Sequence, residues 1–186
     1  MGFDGKEYQS RFDSLAAQGK DVHGEATLVR SFLPKSVLDA GCGTGRVARE
    51  LATHGIDVVG VDVDHSMITE ARRLEASLEW IEHDLVTLRL ERTFDVVLLA
   101  GNVPLFCPVD QRSALIGSCA AHIGDEGIMI SGFQVGIDRG FGAVDLKFFD
   151  ATCEASNLEL VERFSTWDRQ AFDEDLRYAV SVHARV

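Results

Sequence analysis

The sequence has few of the features that mark secreted, membrane-spanning or metal-binding proteins. Its four cysteines form no C-x-x-C pair, so neither a zinc site nor a disulfide framework is indicated. No apolar run approaches the roughly 18 residues that a membrane-spanning helix needs. The first residues also lack the apolar core of a signal peptide. We therefore expect a cytoplasmic protein that has no metal and does not bind membranes.

Positively charged residues are also scarce. The chain has 18 Lys and Arg residues against 30 Asp and Glu, which gives a formal net charge of −12. Such a surface repels the phosphates of DNA and RNA, and no basic cluster in the sequence offsets the repulsion. We therefore expect no nucleic-acid partner.

The sequence contains only three prolines, and we find no repeat, linker or low-complexity segment. One domain usually has ~100 to 200 residues, so 1–186 is predicted to be a single domain. Apolar strand patterns alternate with helical ones, which is typical of an α/β sheet. The predicted strands are 36–40, 57–61, 78–83, 95–100, 127–133, 158–167 and 175–185. The predicted helices after residue 34 are 46–54, 66–76, 111–122 and 144–156.

A short apolar strand runs into three alternate glycines, Gly41, Gly43 and Gly45, directly before a helical pattern. Glycines at the carboxyl end of a buried strand let the backbone bend sharply and approach a ligand closely. A second buried strand ends in Asp62. It lies ~20 residues after the glycines, the spacing at which a carboxylate accepts hydrogen bonds from ribose hydroxyls. The pattern indicates a turn that binds a nucleotide.

This spacing leaves two cofactors open, a dinucleotide or S-adenosylmethionine. The dinucleotide fingerprint G-x-G-x-x-G would place Arg46 at its third glycine, where a side chain disturbs the packing of helix on strand. Asp39 would oppose a diphosphate, whereas the ammonium and sulfonium of S-adenosylmethionine gain from a nearby negative charge. Both residues favour S-adenosylmethionine.

Four blocks of the chain resemble the class I S-adenosylmethionine-dependent methyltransferases. Residues 38–45 (LDAGCGTG) are similar to motif I of that family, and 59–62 (VGVD) with 66–72 to its ribose-binding block. Residues 83–85 (HDL) are similar to the adenine-contacting turn, and 94–99 (FDVVLL) to the fourth strand. The resemblance implies a three-layer Rossmann-like fold. Its seven-stranded, mostly parallel sheet would have the order 3-2-1-4-5-7-6, with the last strand antiparallel.

The resemblance also implies which residues bind the cofactor. The glycines would lie against the methionine part, Asp62 against the ribose, and Asp84 with the backbone of Leu85 against the adenine. Ala100 and Asn102 would line the mouth through which the methyl group leaves. The full predicted set is Asp39, Gly41, Gly43, Asp62, Val63, Met67, Asp84, Leu85, Ala100 and Asn102.

Residues 1–34 are predicted to form two helices. The resemblance implies that these helices cover the mouth of the cofactor site, with Tyr8, Arg11 and His23 as lid candidates. Methyl transfer is a one-step displacement, so a general base is needed only if the acceptor must lose a proton. The candidates for a catalytic group are His23, His83 and Asn102, and Phe133 is also expected near the acceptor. The other histidines, His54, His65, His122 and His183, are predicted at helix ends or on an exposed strand face.

Residues 102–105 (NVPL) match only two of four positions of the N-P-P-Y run with which some family members methylate bases, which again disfavours nucleic acid. A small-molecule acceptor is therefore expected. Its apolar pocket would be formed by Leu105, Phe106, Phe133, Phe141 and Trp167. Two alternatives stay open: a catalytically silent module that binds S-adenosylmethionine, and an NAD-dependent oxidoreductase, which Arg46 and Asp39 disfavour.

Overall fold

Seven strands form one sheet in the computed structural model, which describes residues 4–186. The strands are β1 (Ser36–Ala40), β2 (Asp57–Asp62), β3 (Glu79–Glu82), β4 (Phe94–Leu99), β5 (Ile123–Gln134), β6 (Leu158–Phe164) and β7 (Tyr178–Arg185). Their order is β3-β2-β1-β4-β5-β7-β6. The first five strands run parallel, and β7 is antiparallel to both of its neighbours. The predicted fold class and strand order are confirmed.

Helices cover both faces of this sheet. They are α1 (Gly5–Ala17), α2 (Gly24–Arg30), α3 (Arg46–Thr53), α4 (His65–Leu74), α5 (Arg112–Ala120) and α6 (Leu146–Glu154). Three 3-10 turns occur at Leu85–Thr87, Val103–Phe106 and Glu174–Leu176. None of the helices between residues 4 and 186 is long and apolar enough to cross a bilayer.

The sheet separates two hydrophobic clusters. Val37 of β1 packs with α2, α3 and α4 on one face, and its neighbour Leu38 packs with α5 and α6 on the other. Successive side chains of a strand point to opposite faces, so a strand covered on both sides must be apolar throughout. This explains why Val37, Leu38 and Ala40 of β1 are all apolar, and the buried Asp39 is the exception.

The first helix begins where the Asp4 carboxylate caps it, accepting from the amides of Lys6 and Glu7. It lies against α4, and the Gly5 amide donates to Ser66 Oγ at 2.8 Å. Only Gly5 and Gln9 of this helix are buried. The helix is therefore held by a few polar contacts rather than by a hydrophobic face.

Two of the other histidines are buried, and for His183 this contradicts the prediction of an exposed strand face; His122 lies at the end of α5, as predicted. His183 of β7 is fully buried, with Nε2 3.1 Å from Asp150 Oδ1 of α6. His122 is also buried, and its Nε2 accepts from the Leu90 amide at 2.8 Å. The alternation in β7 suggested one exposed face, but α6 covers that face, which the strand pattern alone does not reveal.

The ends of the last strands also differ from the prediction. β5 begins at Ile123, before the expected turn at 124–127, and a bulge in its pairing with β4 accommodates the extra residues. β7 begins at Tyr178 rather than at residue 175, because a 3-10 turn and the left-handed Arg177 (φ 49°) precede it.

Candidate functional site

The glycine turn follows β1 and curls over the carboxyl end of β2. The amides of Gly41 and Cys42 donate to Val61 O at 2.7 and 3.0 Å. The φ angles are 84° at Gly41, 55° at Gly43 and 74° at Gly45. These left-handed values favour glycine over residues with side chains. The turn therefore requires the glycines that the sequence provides.

The three glycines have different surroundings. A Cβ at Gly41 would overlap Val103, and one at Gly45 would overlap the Trp80 ring. At Gly43 the nearest atom would be 3.6 Å away, in the ring of Tyr8. Gly41 and Gly45 thus permit close packing within the protein, while Gly43 presents bare backbone to the space beneath α1.

Asp62 connects the first two sequence blocks directly. Its Oδ2 accepts from the Gly43 amide at 2.8 Å, and its Oδ1 accepts from the Asp64 amide at 2.9 Å. Burial raises the pKa of Asp62, although these backbone hydrogen bonds oppose the effect. A carboxylate has about four lone-pair positions, so acceptor capacity is left for ribose hydroxyls. Sequence reasoning did not foresee that Asp62 also fixes the glycine turn.

Asp39 lies beneath the turn and is 2% exposed. Its Oδ2 has no hydrogen-bond partner among the described residues. Burial raises the pKa of Asp39 to about 7, against the opposing influence of Arg46 and of the Ala48 amide. An unpaired buried carboxylate oxygen is costly unless a donor or a cation reaches it. The site therefore fits a cationic group such as the ammonium of S-adenosylmethionine.

Arg46 contacts both N-terminal helices and the segment between them. Its guanidinium donates to Glu25 at 2.6 and 3.1 Å and to Val22 O, and it stacks over the Phe12 ring at 4.4 Å. In the sequence, Arg46 is informative only because it disfavours a dinucleotide. Its positive role, which is to join the glycine motif to α1 and α2, depends on contacts across the fold.

The predicted lid candidates lie in different places. The Tyr8 ring lies over Gly43, and burial raises the pKa of its phenol. Arg11 points outward and pairs with Glu7 at 2.9 Å. His23 precedes α2, with its Nδ1 3.6 Å from Glu50. Of the three, Tyr8 is the residue that covers the glycine turn.

Sequence reasoning missed Gln9, the residue that fastens the cover. Its side chain is buried, and its Oε1 accepts from Thr44 Oγ1 at 2.7 Å. Its Nε2 donates to Asp13 at 2.8 Å. A buried glutamine in an otherwise polar helix gives no periodic signal, so only its contact with the glycine turn identifies it.

Beside β2 and β3 lie four of the predicted cofactor-binding residues: Val63, Met67, Asp84 and Leu85. Val63 directly follows Asp62 and is 66% exposed, whereas Met67 is buried behind the glycine turn. Asp84 caps the 3-10 turn by accepting from the Val86 amide at 2.9 Å, and Leu85 is buried. Their contact with the cofactor stays a prediction.

The catalytic candidates His83 and Asn102 have different hydrogen-bond partners. His83 is exposed, and its Nδ1 lies 2.8 Å from Asp84 O. Asn102 has a left-handed φ of 70°, and its Oδ1 accepts from the Gln134 amide at 2.8 Å. No hydrogen bond between described residues joins either of them to His23. Asn102 thus braces the end of β5 next to the nearly buried Ala100 of the predicted mouth.

Two residues of the predicted acceptor pocket lie in the core instead. Leu105 and Phe133 are fully buried in the core, so placing them in a pocket was wrong. Both side chains belong to the hydrophobic cluster that includes residues of α5 and α6. Phe106 and Phe141 are about half exposed, and Trp167 covers Gly132 of β5.

A cavity of about 780 Å³ lies instead at the carboxyl end of β5, beside the start of β7. Its size is within the range of about 300 to 1,000 Å³ that is usual for small-molecule sites. Its lining combines aliphatic, aromatic and charged side chains: Val135, Gly136, Asp145, Leu146, Lys147, Phe148, Phe172, Glu174, Arg177 and Tyr178.

Tyr178 connects this cavity to the cofactor side. Its hydroxyl accepts from Trp167 Nε1 at 3.1 Å. Burial raises the pKa of Tyr178 to about 12, and the charges of Glu25 and Arg46 act on the same phenol. Nothing in the sequence marks Tyr178, because one tyrosine at the start of a strand carries no motif.

The carboxyl ends of β1 and β4 are where the strand order reverses, which is the usual ligand position in open α/β sheets. The glycine turn, the strand-end carboxylate Asp62 and the unpaired Asp39 meet at this point. Fold and site together define a Rossmann-like protein that binds a nucleoside cofactor.

Comparison with known proteins gives the family. A family model described as "Methyltransferase domain" matches residues 37–127. The chain superposes with a TM-score of 0.88 on a TehB-like SAM-dependent methyltransferase from Corynebacterium glutamicum, at 32% identity and covering 98% of both chains. The chain therefore belongs to the class I S-adenosylmethionine-dependent methyltransferases, and S-adenosylmethionine is its cofactor.

Two curated relatives match shorter stretches. The dTDP-3-amino-3,4,6-trideoxy-alpha-D-glucopyranose N,N-dimethyltransferase of Streptomyces venezuelae is 29% identical over 126 residues, covering 66% of this chain and 52% of that protein. The cypemycin N-terminal methyltransferase of a Streptomyces species is 35% identical over 92 residues, covering 48% and 38%. The chain thus spans about half the length of these relatives, or less.

Proposed function

We propose that the protein transfers a methyl group from S-adenosylmethionine to a small molecule bound in the cavity at the end of β5. The observation that supports this proposal is the position of that cavity. It lies at the carboxyl end of β5, and the glycine turn follows the carboxyl end of β1, so both are at the same end of the sheet. The formal charge of −12 also favours a small acceptor over a nucleic acid. Relatives named for amino-sugar methylation and for quinone biosynthesis support an acceptor of this size.

Within this proposal, four parts of the chain hold the cofactor. Asp62 accepts from the ribose hydroxyls with its remaining lone pairs, and Gly43 gives the methionine part close access to the backbone. Asp39 faces the ammonium, and Val63 with the Asp84 turn encloses the adenine. When bound, the cofactor supplies a methyl group already activated on a sulfonium. Tyr8 and α1 exclude water from that group.

Tyr178 would orient the acceptor. Because Trp167 donates to the phenol oxygen, the proton of the Tyr178 hydroxyl stays available for a partner in the cavity. The raised pKa keeps the phenol protonated at neutral pH, so it acts as a donor and not as a base. We therefore expect transfer to depend mainly on proximity and alignment, which can supply a large part of the rate of a displacement.

A screen with radiolabelled S-adenosylmethionine tests the proposal. The panel contains amino sugars, phenols and quinols, carboxylic acids and short peptides, and transfer to at least one class is expected. Tyr178→Phe should then raise the acceptor KM about 5- to 10-fold, the usual effect of losing one neutral hydrogen bond. The same variant should leave the affinity for S-adenosylhomocysteine unchanged.

Two outcomes contradict the proposal in different ways. A protein that binds S-adenosylhomocysteine but labels no member of the panel would be a silent cofactor-binding module. A protein that labels an acceptor with an unchanged KM in Tyr178→Phe would bind that acceptor outside this cavity.

A further inference from the structure

Arg112 is a buried cation that is held by backbone carbonyl groups. It is the first residue of α5 and is only 1% exposed. Among the described residues it forms no ion pair, and its guanidinium donates to five backbone carbonyl oxygens instead. The five oxygens belong to Pro104, Cys107, Phe141, Gly142 and Ala143. Burying a cation is costly, so five well-placed dipoles are what make the arrangement possible.

Two of the oxygens lie in residues 102–107, the β4 loop. Arg112 Nε donates to Pro104 O at 3.1 Å and to Cys107 O at 3.2 Å. In the same loop Val103 occupies the space that a side chain at Gly41 would need. The β4 loop is thus the outer wall of the glycine turn. Its other end is fixed by Asn102, which accepts from β5.

The other three oxygens lie in residues 136–145, the α6 loop. Arg112 Nη1 donates to Ala143 O at 2.7 Å, and Nη2 donates to Phe141 O at 2.9 Å and to Gly142 O. The loop is wound around Asp138, whose Oδ1 accepts from Gly140 and Gly142 amides at 2.7 and 2.9 Å. It leads directly into the first turn of α6, which lines the cavity.

We propose that Arg112 is a positioning residue. By holding the β4 loop and the α6 loop on one guanidinium, it sets the spacing between the glycine turn and the cavity at the end of β5. The identity of that cavity as the acceptor site rests on the proposed function, whereas the effect of Arg112 on the glycine turn does not. Only arginine offers five N–H donors in a planar fork. Lysine has three donors on one nitrogen and cannot reach both loops in the same way.

The test compares Arg112→Lys and Arg112→Met with His122→Leu, a matched control at the opposite end of α5. His122 is also buried and also holds backbone groups, the Leu90 amide at 2.8 Å and Ser118 O at 2.7 Å. Thermal melts measure the loss of stability, and calorimetry measures binding of S-adenosylhomocysteine. All three variants should melt earlier than the wild type.

The binding results separate positioning from a general loss of stability. The Arg112 variants should bind S-adenosylhomocysteine about 10-fold more weakly, because Val103 no longer holds the glycine turn, while His122→Leu stays within about twofold. The proposal is overturned if the Arg112 variants also bind within about twofold, or if His122→Leu loses as much. These readouts need no acceptor, so they do not depend on the outcome of the methyl-transfer screen.

Hydrogen exchange on the wild-type protein decides the matter if the Arg112 variants do not fold. The Leu105 amide donates to Asn102 O in the β4 loop, and the Gly142 amide donates to Asp138 in the α6 loop. With one guanidinium holding both loops, the two amides should become exposed in a single opening event. Protection factors that differ by more than about tenfold would mean that the loops open independently, against the proposal.

Discussion

Asp39 should give up a proton when the cofactor binds. The folded protein without ligand holds this carboxyl in a fully buried position, where the pKa is about 7. Arg46 lowers the pKa, while the negative charges of Asp62 and Glu25 raise it. An ammonium group beside the unpaired Oδ2 favours the ionised form and lowers the pKa again. Binding of S-adenosylhomocysteine therefore couples to ionisation of Asp39.

The size of the coupling follows from the pKa. With a pKa of about 7 in the free protein, about half of the molecules carry the proton at neutral pH, so binding releases about half a proton. If only the ionised form binds, the affinity is proportional to the ionised fraction. That fraction rises from about one in eleven at about pH 6 to about ten in eleven at about pH 8. The affinity should therefore rise about 10-fold over this range.

Asp39 has the opposite effect on the stability of the ligand-free protein. Its folded pKa lies above the ordinary value of 3.8, so the protonated form stabilises the folded state. This contribution is complete below about pH 3.8 and is lost as the pH rises through about 7. Asp39→Asn should then melt later than wild type at about pH 8, because no charge is buried, while binding S-adenosylhomocysteine more weakly.

Calorimetry at three pH values, in two buffers with different ionisation enthalpies, measures both the affinity and the protons released. Asp39→Asn should abolish the proton release and flatten the pH dependence. Asp57→Asn, which changes an exposed carboxylate paired with Arg92, should behave as wild type. Equal affinity at about pH 6 and about pH 8, with no proton released, would refute the assignment of Asp39 to the ammonium.

Three further predictions concern the ribose contact, the cover and a buried histidine. Asp62→Ala should weaken S-adenosylhomocysteine binding ~10- to 150-fold, since hydrogen bonds to a charged group contribute ~1.5 to 3 kcal/mol. It should also melt earlier because two backbone amides lose their acceptor, and Asp62→Asn should be milder. Hydrogen exchange in residues 4–25 should slow when S-adenosylhomocysteine binds, and Gln9→Ala should reduce that protection. The pKa of His183 is lowered by burial, against its hydrogen bond to Asp150. The unfolded chain therefore takes up a proton first, so stability should fall as the pH falls below about 6.5, and His183→Gln should remove this slope.

Each of these predictions has a contrary result. A folded Asp62→Ala protein that binds within about twofold of wild type would remove the ribose assignment. Equal protection of the cover with and without ligand would mean that α1 does not act as a lid. A His183→Gln protein whose melting temperature keeps the wild-type dependence on acidic pH would place the titrating group elsewhere.

Two properties of this protein, the fold and the identity of the cofactor, could be predicted from the sequence. Continuous apolar strands ending in Gly41, Gly43 and Asp62 are a local pattern, because a strand covered on both faces and a tight turn each restrict the residue types at fixed positions. The same local signal identified the sheet order through the family resemblance. It also supplied two separate reasons, Asp39 and Arg46, to prefer S-adenosylmethionine over a dinucleotide.

Which residues lie across from these blocks depends on the tertiary fold. Gln9 reaches Thr44 from 35 positions away in the chain, and Arg112 joins two loops that follow different strands. His183 appeared exposed in the strand pattern because nothing in β7 records that α6 covers it. Such contacts are made by single side chains between distant elements, without any repeat in the sequence. Which loops and helices meet depends on the packing of the whole fold, and so the Gln9 contact, the cavity at the end of β5 and the Arg112 contacts are visible only there.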